Sequence, residues 1–442
     1  MRRVLVVACL IILGGTAPLQ AADPEATPAP PREVLSQRPI TVDEAVAIAL
    51  EYQPNILARL GDYAAAKYRV DQALAPLLPQ LAASVSTTRS QTTLLSTNVA
   101  GVTAAIPVTR DFGQTLAAQV TLSQLLFDFG KNAASTEAAR KLSEVALENV
   151  ELQRQLITQA VKQAYTNINF AQRLIRVNEQ ALQRAELNLR SARGFFEVGT
   201  RPKSDVTRAE VDVANARVDV IRARNAERLG RVALNTGMGV AADLPTQVLD
   251  SLVYQPTTLD RPALLDEALK RRPEARQARL TAEATDAQLR RTFRDFFPDI
   301  TGAAAYGGIR TTFDEAWSAT LSLSWSIFDG GNRIARYREA RANLEAAQAR
   351  VKAQDLTISQ DVEQTIITVN EADERIQAAQ KAVESAQENF RLAQGRFDAG
   401  VGTILELTDA QLALTQAQNT EAQALADYRI GLSNLDRAVG RR

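Results

Sequence analysis

The chain of 442 residues has no histidine, a single cysteine and few aromatic residues, which make up 5% of it. Without histidine it can form neither a Ser/His/Asp nor a Cys/His triad, and it offers no imidazole to a metal ion. Its 51 basic residues balance 51 acidic ones, whereas nucleic-acid binding requires a basic surface. We therefore expect no catalytic residues, no metal site, no cofactor and no nucleic-acid partner.

Long hydrophobic runs are also missing, except at the N-terminus. Arg2 and Arg3 precede an apolar run over 4–13, and small residues follow it. This arrangement is typical of a secretory signal peptide, here residues 1–21. A transmembrane helix is the alternative, but it requires about 20 apolar residues, and glycines and a proline interrupt this run. Because the only cysteine, Cys9, lies inside the run, the mature chain should carry neither a disulfide nor an acyl anchor.

The mature chain repeats itself after a proline-rich stretch that should form an extended arm. Leu77–Pro79 recurs as Phe296–Pro298, an offset of 296 − 77 = 219, and the Phe-Asp-x-Gly segment 127–130 recurs at 328–331, an offset of 328 − 127 = 201. The larger offset before Phe127 predicts a longer loop in the first copy, whereas everything after Phe127 keeps its length. The predicted divisions are the arm at 22–39, the first repeat at 40–244, an inter-repeat linker at 245–262 and the second repeat at 263–442.

Long coiled-coil helices account for most of each repeat. Apolar residues alternate spacings of four and three over 157–196 and again over 358–397, and this period of 3.5 residues predicts left-handed supercoiling. Asn178 is a polar exception in the first seam; it could contact a partner, but a register device is the simpler interpretation. Each long helix should turn back at a glycine-containing tip into a further helix. The predicted helices before the tips cover about 41–78, 131–198, 262–297 and 332–399.

The segments between the helices have a period of two residues. Apolar residues alternate with serine and threonine from Trp317 to Ile327, which predicts a strand with one apolar and one hydroxyl face. Trp317 and Trp325 share the apolar face roughly 26 Å apart, close to the spacing of the aromatic girdles at the membrane interfaces of an outer-membrane barrel. On the strands alone, a half-buried hairpin in a soluble sheet is the simpler interpretation; the signal peptide and the lack of a core for this face favour the barrel. The predicted strands cover about 80–90, 115–127, 299–309 and 316–327.

Four strands cannot close a barrel, which requires about eight or more. Three copies of the chain would supply 3 × 4 = 12 strands, an even number, and would gather the helices into a tube. The predicted class is therefore mainly α-helical with a transmembrane β-barrel portion: a homotrimeric 12-stranded barrel, four strands per chain, continuous with a long coiled-coil tunnel.

In this organisation the chain resembles the TolC-type outer-membrane efflux duct family. The resemblance covers nearly all of the mature chain, including the strand boundaries at Pro79 and Pro298, the Phe-Asp-x-Gly turns and the tip motif 198–206. It implies a passive channel, not an enzyme, in the outer membrane of a Gram-negative bacterium with a large periplasmic part. The implied partners are two further copies of the chain, outer-membrane lipid, a periplasmic adaptor (membrane fusion) protein and an inner-membrane transporter.

Three acidic residues lie where the second helix of each hairpin begins. Glu406 and Asp409 share one helix face, and Asp205 begins the matching helix of the first repeat. The resemblance implies that such acids form a ring at the periplasmic mouth and favour cations; three chains would contribute 3 × 3 = 9 carboxylates. The alternative is that they only complement the helix dipole and that Asp205 is a cap.

The tips are also the predicted contact with the adaptor, although ordinary turn chemistry explains their sequence equally well. The resemblance implies an arginine and a tyrosine that clasp the closed mouth, but Gly402 and Phe397 stand at those places. Arg201 is a possible substitute, although we expect it to be a solvated charge. The predicted docking residues are Gly199, Thr200, Gly400, Val401, Gly402 and Thr403.

Other protein classes fit parts of this pattern. A periplasmic coiled-coil adaptor or a scaffold protein without a pore would also contain long helical hairpins, but neither requires a strand with tryptophans on one face and serines on the other. The strands therefore favour a channel, and the resemblance implies the exit duct of a tripartite export system, for multidrug efflux or type I secretion, opened when the adaptor and the transporter dock.

Overall fold

The computed structural model describes residues 38–93, 110–310 and 314–442. The signal peptide, nearly all of the arm and most of the enlarged first loop lie outside the described residues. The elements, in chain order, are α1 (Val42–Tyr52), α2 (Pro54–Leu74), β1 (Gln80–Thr93), β2 (Arg110–Phe127), α3 (Lys131–Glu197), α4 (Lys203–Met238), α5 (Arg261–Arg271), α6 (Pro273–Arg294), β3 (Asp299–Arg310), β4 (Asp314–Ser324), α7 (Asn332–Asp398) and α8 (Ile404–Val439). The predicted class, mainly α-helical with four antiparallel strands, is confirmed.

The two copies keep the same helix lengths after the strands. Helices α3 and α7 each contain 67 residues, and α4 and α8 each contain 36. The starts of both pairs differ by the same offset, 332 − 131 = 404 − 203 = 201. The prediction that the chain after Phe127 keeps its length is therefore confirmed. The physical reason is that an inserted residue would rotate every later seam position by about 100°.

The shorter helices occupy the predicted ranges of about 41–78 and 262–297. The structure divides both of them. Each break falls immediately before a proline, Pro54 or Pro273, which begins the next helix. The residues at the breaks, Gln53 and Arg272, are extended, with ψ of 117° and 128°. Proline disfavours the helical conformation in the residue before it, yet it suits a first helical turn, so the helix stops and restarts.

Arg272, at the second break, forms a buried ionic cluster. Its side chain is 4% exposed and donates to Glu274 Oε1 and Asp361 Oδ2, each at 2.8 Å. Burial by itself would raise the pKa of Glu274, but the hydrogen bond and charge of Arg272 outweigh it, so the pKa of Glu274 lies below its ordinary value of 4.5. The cluster joins the start of α6 to α7.

Replacing Arg272 with alanine should lower the free energy of unfolding by about 3 kcal/mol, because two partly buried carboxylates lose their cation. Since the folded pKa of Glu274 is lowered, its contribution is present above pH 4.5 and is lost as the pH falls through the folded value. Guanidinium unfolding followed by helical circular dichroism at neutral and acid pH measures both effects. Arg271→Ala is the control, because Arg271 is 60% exposed beside Glu267 and should change stability by only about 0–1 kcal/mol. Equal losses in both variants would contradict the account.

The strands form one antiparallel sheet in the order β1-β2-β3-β4. Its apolar face is open to solvent in a single chain, with exposed fractions of 72% for Leu81 and 78% for Trp317. The strand predicted over 316–327 is shorter in the structure, since β4 ends at Ser324. Its last pair is Ser324 with Asp299, and the residue before Asp299 is Pro298, which has no N–H to continue the ladder. Trp325 follows β4, and its indole Nε1 donates to the backbone oxygen of Phe296 at 3.1 Å.

The long helices pack side by side as two antiparallel hairpins. Helix α3 contacts its partner α4 and also α8 of the other hairpin, whereas α4 and α7 stand at the two edges of the group. The seams inside the hairpins are apolar, with Val161 and Ile376 fully buried. The contact between α3 and α8 is polar in character: Lys162 Nζ lies 2.9 Å from Asp436 Oδ2, for example.

Candidate gate at the helical tips

The two tips are closed by the same kind of backbone turn. Each long helix is followed by a glycine in the left-handed region, Gly199 with φ 76° and Gly400 with φ 78°. The next amide closes the turn: Thr200 N donates to Phe195 O and Val401 N to Arg396 O, both at 3.0 Å. Glycine adopts this conformation without strain, so its presence at both tips follows from turn formation.

The tips differ where the returning helices begin. Thr403 caps α8, its hydroxyl accepting from Glu406 N at 3.1 Å, whereas Pro202 stands at the equivalent place in the first tip and provides no side-chain cap. Gly402 is buried, and a Cβ there would lie 2.9 Å from Phe397 N. The other five predicted docking residues are exposed: Gly199, Thr200, Gly400, Val401 and Thr403.

An aromatic and aliphatic cluster holds the two tips together. Phe397 and Leu407 are fully buried and pack with Ile404. Phe195, from the first hairpin, meets Phe397 edge to face, with ring centroids 5.7 Å apart and planes at 84°. This geometry is a favourable one for aromatic pairs.

Arg201 lies inside this cluster and is only 14% exposed. Its guanidinium is 4.5 Å from the ring centroid of Phe397 and 5.7 Å from that of Phe195. It also donates to the backbone oxygen of Gly402 at 2.5 Å and lies 3.6 Å from Asp205 Oδ2. The expectation of a solvated tip charge is therefore wrong, because two aromatic rings and a carbonyl of the opposite tip replace the solvent.

A sequence signal for this contact exists. Arg201 and Gly402 are equivalent positions of the two repeats, since 201 + 201 = 402. At this repeat position the first tip thus has a long cationic side chain, and the second tip has no side chain. That substitution lets the carbonyl approach the guanidinium, and comparison of the two tips position by position reveals it.

The three predicted gate acids have different surroundings. Asp205 is 15% exposed and lies beside Arg201. Glu406 is 49% exposed, 3.7 Å from Arg396 Nε, and Asp409 is exposed on the same helix. Of the three acids, Glu406 and Asp409 therefore expose their carboxylates to solvent, one turn apart on α8. The carboxylate of Asp205 instead lies against Arg201 within the tip.

Two further contacts join the hairpins above the tips. Thr408 Oγ1 donates to Asp212 Oδ2 at 3.1 Å, and Asn188 Nδ2 donates to Gln411 Oε1 at 2.7 Å. Sequence analysis misses both pairs because their residues are far apart along the chain. Asn178, the polar seam residue, is buried beside a groove of about 460 Å³ between α3, α4 and α8.

A belt of aromatic side chains surrounds the junction between the sheet and the helices. Phe129 stacks on Phe297, with centroids 5.2 Å apart, and Phe127 packs edge-on against Phe129 at 4.7 Å. Phe293 continues the belt to Tyr337 at 6.0 Å. The sequence predicts interface roles only for Trp317 and Trp325, because Phe127, Phe129 and Phe297 are interpreted as parts of the repeated motifs.

Over residues 38–93, 110–310 and 314–442, no group of histidine, cysteine, aspartate and glutamate side chains could hold a metal ion. In the same part of the chain, no helix has both the length and the apolar character that crossing a membrane requires.

Comparisons with known proteins show which family has this architecture. The family model of outer membrane efflux proteins matches residues 45–240 and 264–441. Outer membrane protein TolC of Escherichia coli K12 is 25% identical over 411 residues, 88% of this chain and 79% of that protein. Nodulation protein T of Rhizobium leguminosarum bv. trifolii is 24% identical over 334 residues, 73% of this chain and 71% of that protein.

The fold is also that of solved outer-membrane channels. The structure of the channel OprN has a TM-score of 0.78 and 21% identity, covering 91% of this chain and 90% of that one. The comparisons give no support for the alternative of a periplasmic adaptor or scaffold without a pore. The chain belongs to the outer membrane efflux protein family and is an outer-membrane channel, with its helical part in the periplasm.

Proposed function

We propose that three copies of this chain form a passive exit duct that catalyses no reaction and that a periplasmic adaptor and an inner-membrane transporter drive. The observation that carries the proposal is the sheet. Strands β1 and β4 are its two edges, and unpaired edges favour pairing with another chain. Its apolar face, which includes Leu81, Val85 and Leu321, is 72–75% exposed at these residues. Closing the edges across three copies gives 3 × 4 = 12 strands and turns that face towards lipid.

The aromatic residues fit the two boundaries of such a barrel. Trp317 lies on the lipid-facing side of β4, and Trp325 with the aromatic belt lies at the junction with the helices. Aromatic rings prefer the interface between lipid and water. We assign Trp317 to the outer interface and Trp325, with the belt, to the periplasmic interface.

The periplasmic mouth carries the acidic ring. Glu406 and Asp409 from three chains provide 3 × 2 = 6 carboxylates, a smaller ring than the sequence alone predicts, because Asp205 is engaged by Arg201. In a narrow passage such a ring attracts cations and repels anions.

Arg201 serves as the latch of the closed mouth. It extends from the first tip and binds the carbonyl and the ring of the second. Outward movement of one tip relative to the other breaks these contacts, so they stabilise the closed state. The alternative for Arg201, a solvated tip charge, does not account for a side chain that is only 14% exposed.

The exposed tip residues are the proposed docking site for the adaptor, and Gly402 contributes through its backbone only. Cross-linking from Val401→Cys in cells should capture the adaptor, since Val401 is 72% exposed at the end of the tunnel. Tyr68→Cys is the matched control, because Tyr68 is 68% exposed on α2 near the sheet. Capture from Tyr68 and not from Val401 would refute docking at the tip.

Fractionation and mass measurement test the proposed assembly. The protein should leave the membrane only in detergent, with three times the mass of one chain. Release by salt or carbonate as a water-soluble monomer would contradict it.

A further inference from the structure

We infer that a cavity between α6 and α7, just below the barrel, binds the carboxylate groups of anionic cargo through Arg291 and Arg336. The inference rests on the proposed homotrimeric duct and adds a chemical class of cargo to it. Three copies would place 3 × 2 = 6 of these guanidiniums around the passage, at the opposite end of the tunnel from the acidic ring.

The cavity lies where the helices meet the sheet. It has a volume of about 360 Å³ and lies between the end of α6 and the start of α7. Asp295, in its wall, is 299 − 295 = 4 residues before the start of β3, and Arg336 is 336 − 332 = 4 residues after the start of α7. A molecule in the cavity would therefore lie where cargo passes from the tunnel into the barrel.

The aromatic belt marks the outer face of these two helices. Phe127, with which the belt begins, is paired with Ile300, and Ile300 is paired with Leu323 on the lipid-facing side of β4. Residues directly opposite one another in an antiparallel sheet point to the same side. The belt ends at Phe293 of α6 and Tyr337 of α7, so these two side chains lie on the outer face.

The walls of the cavity lie on the opposite face. Arg291 and Asp295 are each two residues from Phe293, and Glu339 is two residues from Tyr337. Two residues correspond to a rotation of about 200° around a helix, and all three residues line the cavity. The cavity therefore opens on the side away from lipid, which is the lumen of the proposed duct.

The two arginines of the cavity are unpaired within the part of the chain that the structure describes. Neither the guanidinium of Arg291 nor that of Arg336 takes part in a hydrogen bond or an ion pair there. Arg290, on another side of α6, is by contrast 3.0 Å from Glu137 of α3. A guanidinium presents its N–H groups in a planar fork that matches a carboxylate. Two such forks in one cavity are available to a ligand.

The two acids of the cavity differ in their surroundings. Asp295 lies 3.5 Å from Lys131 Nζ, which also lies 2.9 Å from Asp299. Glu339 is exposed, and among the described residues no cation pairs with it. Two guanidiniums thus face one unpaired carboxylate, so the cavity attracts an anion, and Glu339 opposes its binding by repulsion.

The barrel wall above the cavity has a different chemistry. Between Ala316 and Ser324, the lumen side of β4 has no charged residue. On this strand a carboxylate meets hydroxyl donors but no cation, so the cavity is the position at which the charge of such cargo is bound. The hydroxyl residues of this side are Ser318, Thr320, Ser322 and Ser324.

Calorimetric titration of the detergent-solubilised trimer with citrate, a small tricarboxylate, tests the site at low ionic strength. Arg291→Gln with Arg336→Gln should raise the Kd of citrate by about tenfold or more, because charge-assisted hydrogen bonds are lost. Glu339→Gln should lower the Kd several-fold, because it removes a like charge from the cavity. A general loss of structure would not produce opposite effects in the two variants.

Arg341→Gln is the matched control on the same helix. Arg341 is 67% exposed beside Glu345 and lies about one turn from Tyr337, on the side of the belt, so this variant should leave the Kd unchanged. Equal weakening by Arg341→Gln, an unchanged Kd in the double arginine variant, or no citrate binding to the wild-type trimer at millimolar concentration would overturn the inference but leave the duct intact. A monomer in detergent would instead refute the proposed assembly.

Discussion

Replacing Arg201 with alanine should make the channel open more often in the absence of any partner. The variant removes a charge-assisted hydrogen bond to Gly402 O and two ring contacts from each chain. Such a hydrogen bond contributes about 1.5–3 kcal/mol, and cation–π contacts contribute about 0.5–2 kcal/mol. About 1.4 kcal/mol changes an equilibrium constant tenfold. Losing only part of these contacts in one chain is therefore enough to shift the equilibrium between the closed and open mouth about tenfold. Planar-bilayer recordings should show an open probability about tenfold higher or more.

Two variants separate the latch from a general effect of tip charge. Arg201→Lys keeps the charge but loses the planar group that stacks on the rings and should give an intermediate open probability. Lys203→Ala removes a nearby cation whose side chain is exposed and should behave as the wild type. An Arg201→Ala trimer with unchanged open probability would show that the closed mouth is held by other contacts.

Neutralising the acidic ring should abolish most of the cation preference. Glu406→Gln with Asp409→Asn removes the two carboxylates that each α8 exposes at the mouth while keeping similar shapes. The ratio of cation to anion permeability, taken from reversal potentials in a salt gradient, should fall several-fold towards one. The wild-type preference should weaken as salt rises, since the screening length falls from about 30 Å at 0.01 M to about 10 Å at 0.1 M.

Two other acids provide controls for the ring. Asp398→Asn removes an exposed carboxylate at the end of α7 and should leave the selectivity unchanged. Asp205→Asn should alter opening more than selectivity, because Asp205 lies against Arg201. Retained cation preference in the double variant would place the selective constriction elsewhere in the duct.

Local periodicity made most of the fold predictable. A strict heptad and a constant repeat offset determine helix length, and both long helices indeed contain 67 residues. The breaks before Pro54 and Pro273 were also predictable, because proline disfavours the helical conformation in the residue before it. The chain direction can bend at a proline without interrupting which residues face the core.

The site was less predictable because it depends on contacts between distant segments. A heptad shows that a helix has a seam, but not that α3 serves two neighbours, α4 and α8. This explains why Asn188, outside the predicted seam, is buried, since its Nδ2 donates to Gln411 Oε1 of α8. Tyr165 is also buried outside the seam, but by the segments before α1 and after α4, where its hydroxyl lies 2.9 Å from the backbone oxygens of Ile40 and Leu249. The location of Arg201 follows from the rings and the glycine of the opposite tip, which the local sequence around Arg201 does not contain.

The central claim is that this chain makes a passive outer-membrane channel whose mouth is closed by its own tips. Single-channel recording from the purified wild-type trimer, without adaptor or transporter, tests it most directly. The account predicts stepwise, cation-preferring conductance from a channel that is closed most of the time. A stably inserted trimer that shows no conductance steps, in the wild type and in Arg201→Ala alike, would contradict it.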